Sequence, residues 1–154
     1  MKRNIFEPSA REAVISRINK LTVDSKGKWG RLTAPQMIRH LNEACRMSFD
    51  EVKVPDQSNF FTRTLGKWLF LSNIKPPGRE KGNIKTFPQI DIVETRFPVL
   101  EIEEEKKHYA ATIERLNDTK ELSPQHPLFG KMSRDDWGLL AYAHADYHLT
   151  QFNL

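Results

Sequence analysis

The sequence predicts an all-α protein, a four-helix bundle with a long crossover connection and room for one extra short helix. Three observations carry this. Apolar residues recur at helical spacing in separate segments, three segments open with helix-capping patterns, and no run shows a convincing strand pattern. With 154 residues, of which 38% are hydrophobic and 29% charged, the chain can bury one core without disulfides, so a single domain over 1–154 is expected.

The first helix is expected to open at Ser9-Ala10-Arg11-Glu12, to carry Val14, Ile15, Ile18 and Leu21 on one stripe, and to end before Gly27. The second opens at Thr33-Ala34-Pro35-Gln36, where Pro35 sits in the first turn and its missing N–H costs nothing. It runs from about 34 to 50 with Met37, Ile38, Leu41, Ala44, Cys45 and Ser48 in register. A third, Asn59 to about Ser72, holds Phe60, Phe61, Leu65, Trp68, Leu69, Phe70 and Leu71, so burial on more than one side is expected. Pro76-Pro77-Gly78 must stop it.

From there to Pro98 the composition turns to Pro, Gly, Lys and Asn, which predicts a long connection with one short extended piece around Ile90 to Val93. Loops of that length are uncommon unless functional. A charged helix follows, from about Val99 to Asn117, with Ile102, Tyr109, Ala110, Ile113 and Leu116 facing inward. The last opens at Ser133-Arg134-Asp135-Asp136 and runs nearly to the C-terminus.

Composition narrows the function. The net charge of +4 is spread thinly: basic and acidic residues alternate, and Glu101 to Lys107 holds four Glu against two Lys, the pattern of a solvated face rather than of a nucleic-acid surface. No apolar run approaches the roughly 20 residues of a membrane span. The N-terminal residues show neither an apolar run nor a cleavage site, and Cys45 is the single cysteine, so a cytoplasmic protein acting on a small molecule is expected. Cys45 lies on the second helix's apolar stripe and reads as a small core residue rather than a nucleophile. Trp29, Trp68 and Trp137 read as core anchors, Trp137 also as a pocket wall. The apolar surplus of the third helix would serve a homodimer.

Histidines supply the chemistry. His144 and His148 are four apart and share a stripe with Trp137, Leu140 and Ala141, so both imidazoles face the core. Two readings stand: neutral imidazoles each bonded to a neighbouring helix, or two ligands of one divalent ion. Paired buried histidines repel if protonated, and a metal resolves that conflict. A third ligand is needed for firm binding, and His40, at the edge of the second helix's stripe, is the candidate. His108 falls off its helix's apolar stripe and reads as solvated, whereas His126 reads as a loop residue that can line the pocket. No carboxylate sits beside the three histidines in sequence, so the acid or base is left to the long loop, to His126 or to the substrate. Lys75, Arg79, Lys81 and Lys85 read as a solvated loop.

Three stretches also carry a resemblance: Trp29 to Leu41, with its Thr-Ala-Pro-Gln-Met-Ile-Arg-His core; His126 to Ser133 followed by Trp137; and His144-Ala-Asp-Tyr-His148 through Phe152. Together they resemble the DinB/YfiT-like superfamily, and more closely an uncharacterised branch of it. The resemblance implies a four-helix bundle with a divalent metal, zinc or nickel, on His40, His144 and His148. It further implies a thiol-dependent transferase or isomerase using a low-molecular-weight thiol such as bacillithiol, mycothiol or glutathione; an open three-histidine ion that activates bound water also suits a hydrolase. The alternative is a non-catalytic metal-binding or stress-response protein in which the ion staples helices together.

Overall fold

In the computed structural model, residues 3–72, 86–95 and 97–154 are described. Helix α1 (Pro8–Asn19) starts one residue before the expected box: Pro8 occupies the first turn, Glu7 is the N-cap without a side-chain bond, and Ser9 lies inside the helix. Proline's preset φ explains the earlier start. Helix α2 (Ala34–Arg46) begins with the predicted reciprocal box between Thr33 and Gln36, and a 3-10 turn, Met47–Phe49, prolongs it to Asp50 at φ 57°. Helix α3 (Lys67–Leu71) follows a π-helical turn, Thr62–Gly66. Helices α4 (Ile102–Asp118) and α5 (Arg134–Gln151) complete the helical set among the described residues, and Ser133 and Asp136 form the predicted box on α5.

A two-residue antiparallel pair, β1 (Gln125–His126) and β2 (Gly130–Lys131), sits between α4 and α5 with His126 opposite Gly130. It turns what the sequence presented as an irregular link into a tight hairpin, with Gly130 at φ 65° where L side chains are disfavoured. The extended piece expected at Ile90 to Val93 is absent. Pro88–Ile90 is a 3-10 turn, and the Asp91 carboxylate accepts the backbone N–H groups of Val93 and Glu94, 3.1 Å each, which folds the chain back. Lys75, Arg79, Lys81 and Lys85 lie outside the described residues.

The main core draws on α1, α2, α4 and α5, with Val14, Ile18, Met37, Ile38, Leu41, Ile113, Leu116 and Leu149 at 1% exposure or less. Helix α2 packs on α4 and α5, and α1 packs on α5 and α4, so the four long helices meet in a closed ring. Residues ahead of α1 are pinned to α5: Ile5 N–H donates to the Gly138 carbonyl, and a Cβ at Gly138 would strike Asn4 and Phe6. A second apolar cluster joins Ala44, Met47, Ile90, Phe129, Met132 and Trp137 below the hairpin.

Helix α3 differs most from expectation. Phe60, Phe61, Leu65 and Trp68 are exposed by 85, 59, 46 and 55%, so the segment is not buried on several sides and Trp68 is no core anchor. Polar ties decide its seating: the Lys67 ammonium donates to the Lys131 carbonyl and the Asp136 carboxylate, and Arg63 donates to Ser58 and Asp56. Only Leu71 is then buried, with Phe70 packing against the second cluster.

Candidate metal centre

Helices α2 and α5 bring three imidazoles together. His40 projects from the middle of α2, and His144 and His148 stand one turn apart on α5. Their rings are mutually edge-to-face, with centroids 5.0 Å apart for His40 and His144, 5.0 Å for His40 and His148, and 4.9 Å for His144 and His148. One ligating atom from each can be chosen so that all lie within 4.8 Å of one another, an arrangement that can hold one metal ion.

The hydrogen bonds around the rings choose which nitrogens face inward. His40 Nδ1–H donates to the Ile90 carbonyl at 3.2 Å, which leaves the Nε2 lone pair toward the centre. Gln151 performs the same service for His148: its amide N–H₂ donates to the Trp29 carbonyl, so its Oε1 faces His148 and accepts from Nδ1–H at 2.9 Å. His40 Nε2 and His144 Nε2 are 3.1 Å apart. Two nitrogens bound tetrahedrally to zinc at about 2.05 Å stand roughly 3.3 Å apart, so this pair is already at ligand spacing. Burial lowers the His40 pKa against the opposing pull of the Ile90 carbonyl and Asp91, which keeps the imidazole neutral, the form that binds metals.

Two cavities meet at this cluster. The first, about 410 Å³, runs between α2, α4 and α5 beneath the hairpin and is walled by apolar side chains, with Cys45, Tyr109, His126 and Trp137 among its lining. The second, about 440 Å³, is more polar and includes Trp29, Arg31, Asp91, Glu94, His148 and Gln151. His40, His144, Phe70 and Thr86 line both. Arg31 bridges Asp91 at 2.6 Å and Glu94 at 2.9 Å on the polar side.

The remaining sequence candidates separate. His126 and Trp137 are both buried and both line the apolar cavity. His126 is the first residue of a turn: its Nδ1 accepts the N–H groups of Leu128 and Phe129 at 3.1 and 3.3 Å. Burial and the charge of Lys67 hold its pKa down at about 4. His108 is exposed on α4. Cys45 is buried, and burial pushes its thiol up to about 12, so it is no thiolate at neutral pH. Sequence reasoning did not single out Ile90 and Gln151 as partners of the histidines, nor the buried acids Glu43 and Glu105. Arg39 ties Glu43 at 2.8 Å within α2 and meets Glu105 of α4 at 4.0 Å, and Glu105 accepts the Leu100 N–H at 2.9 Å.

With this geometry in place, comparison with known proteins gives one match: residues 6–153 fit the family described as protein of unknown function DUF1569. The chain belongs to the DUF1569 family. No curated protein and no solved structure matches it. In this DUF1569 chain the three histidines, their two orienting partners and the hairpin bearing His126 all fall within the matched span. Among the described residues no helix is long and apolar enough to cross a membrane.

Proposed function

We propose that this DUF1569 chain is a metal-dependent enzyme acting on a small molecule, with one divalent transition ion, zinc or nickel, held by His40, His144 and His148 and one position left for a reactant. The observation that carries this reading is the convergence of the three rings, with the tautomers of His40 and His148 set by Ile90 and Gln151. A bound ion of this kind supplies Lewis acidity, which makes a water or a low-molecular-weight thiol nucleophilic at neutral pH. The protein's own part is to aim the imidazoles, to keep water off the apolar side, and to present Arg31, Asp91 and Glu94 on the polar side. An external thiol accords with the inert state of Cys45. Thiol transfer and hydrolysis are the two reactions this centre suits.

The mutual packing of α1, α2, α4 and α5 supports a DinB-like four-helix bundle, with the three histidines on α2 and α5. The same placement supports the alternative, an ion that staples α2 to α5 without catalysis. Two cavities reaching the cluster favour the enzyme, because a structural site is closed on all sides.

Elemental analysis of tag-free protein beside a His144→Ala/His148→Ala variant tests the centre. About one equivalent of transition metal in wild type and none in the still-folded variant is expected. Folded wild type that takes up neither zinc nor nickel would remove the metalloenzyme reading. On a cobalt-substituted sample, a visible spectrum that changes on adding a small thiol shows the open position; an unchanged spectrum points to the staple.

A further inference from the structure

Two side chains lining the apolar cavity each carry a donor without a partner among the described residues. Tyr109 is fully buried on α4 and lines the cavity, and its hydroxyl has no hydrogen-bond partner among the described residues. Stranding a buried hydroxyl is unfavourable, and native interiors seldom tolerate it without a reason. His126 is the second. Because its Nδ1 accepts two backbone N–H groups, the ring proton must sit on Nε2, and that N–H has no partner among the described residues.

What surrounds these two donors defines what they would meet. No Lys, Arg, Asp or Glu lines the cavity among the described residues, whereas Leu41, Met47, Phe70, Phe129, Trp137 and Leu140 do. A charged ligand would lose its hydration there without compensation. A volume of about 410 Å³ falls in the range of small-molecule sites that combine apolar walls with a few placed polar groups.

We propose that this chamber binds the apolar body of an uncharged carbonyl compound, with the Tyr109 hydroxyl and the His126 Nε2–H as its recognition donors. The ligand extends from these donors toward His40 and His144, which wall the same chamber, so its other end reaches the histidine cluster. That last step rests on the metal-centre reading; the chamber's preference for an acceptor does not.

The test uses the full-length protein and a matched pair of probes, benzophenone and diphenylmethane, which differ in the carbonyl alone. Affinities are measured by ligand-observed NMR titration of wild type, Tyr109→Phe and His126→Asn, with zinc content determined on each sample. Asparagine keeps an acceptor where His126 Nδ1 stands, so the hairpin stays capped while the Nε2–H is removed. Benzophenone should bind wild type about tenfold more tightly than diphenylmethane, and each variant should lose most of that preference while its diphenylmethane affinity is unchanged. Equal affinities in wild type, or a preference that survives both substitutions, would overturn the proposal. Zinc-replete protein without the preference refutes the chamber and spares the metal centre. The preference in protein that takes up no zinc upholds the chamber and refutes the centre.

Discussion

His126 shows how much one side chain can do for the fold around it. Its Nδ1 closes the turn into β2, its ring stacks on Phe129 with centroids 4.8 Å apart, and burial keeps it neutral with a pKa near 4. Unfolded, the same group titrates near 6.5. Between these values the unfolded chain binds the proton that the folded one refuses, so stability falls as pH drops from 6.5 toward 4 and this contribution levels off below. The full effect is about 3 kcal/mol. Urea unfolding at pH 7 and pH 4.5 should show a steeper acid loss for wild type than for His126→Asn; parallel losses would contradict the burial of a neutral ring. Tyr109 makes the opposite prediction. Removing a stranded hydroxyl should leave the ligand-free fold unchanged or up to about 1 kcal/mol more stable. A loss of 2 kcal/mol or more for Tyr109→Phe in the same experiment would mean that the hydroxyl has a partner after all.

At the scale of elements, α5 is the site's chassis. It carries His144 and His148, and at its end Gln151, which reaches both His148 and the Trp29 carbonyl. Gln151→Leu should therefore weaken zinc binding roughly 10- to 100-fold in a competition titration with a chelating dye, while the helix content is kept. Unchanged affinity would show that packing alone orients His148. Gly138 lies on the same helix where the Asn4 and Phe6 side chains press against its backbone, so Gly138→Ala should lower the thermal midpoint despite alanine's better helix propensity. These elements also show what the sequence could and could not disclose. His40, His144 and His148 were legible because helical period is local and all three sit on or beside apolar stripes. The Ile90 carbonyl was not, because it lies 50 residues from His40 along a path that no period encodes, and Gln151, although one turn after His148, is aimed by the Trp29 carbonyl 122 residues away. Glu43 and Glu105 look like solvated charges by type, yet both are at most 1% exposed, held against Arg39 and the Leu100 N–H. The third helix misled for the converse reason: its apolar residues promised burial, while Lys67 and Arg63 tied it down by its polar side.

For the whole molecule, an ion bound at the histidines would be coupled to the fold by mass action. Zinc that binds the folded chain alone, at 100 times its dissociation constant, adds about 3 kcal/mol of stability. Since the four long helices share a buried apolar core built from side chains other than the histidines, chelation should shift the unfolding midpoint yet leave a cooperative, helical protein by circular dichroism. Loss of the helical signal on chelation would favour the ion as a staple.

The cluster also has two faces. One looks into a chamber without charged walls among the described residues, the other into a cleft rimmed by Arg31, Asp91 and Glu94, and His40 and His144 form part of the partition between them. Two reactants of unlike polarity can therefore approach from opposite sides without displacing each other. If the proposed enzyme joins two such reactants, initial-rate plots should intersect, as they do when both are bound before any product leaves. Dead-end inhibitors fitted to one side should be competitive with only one of the two.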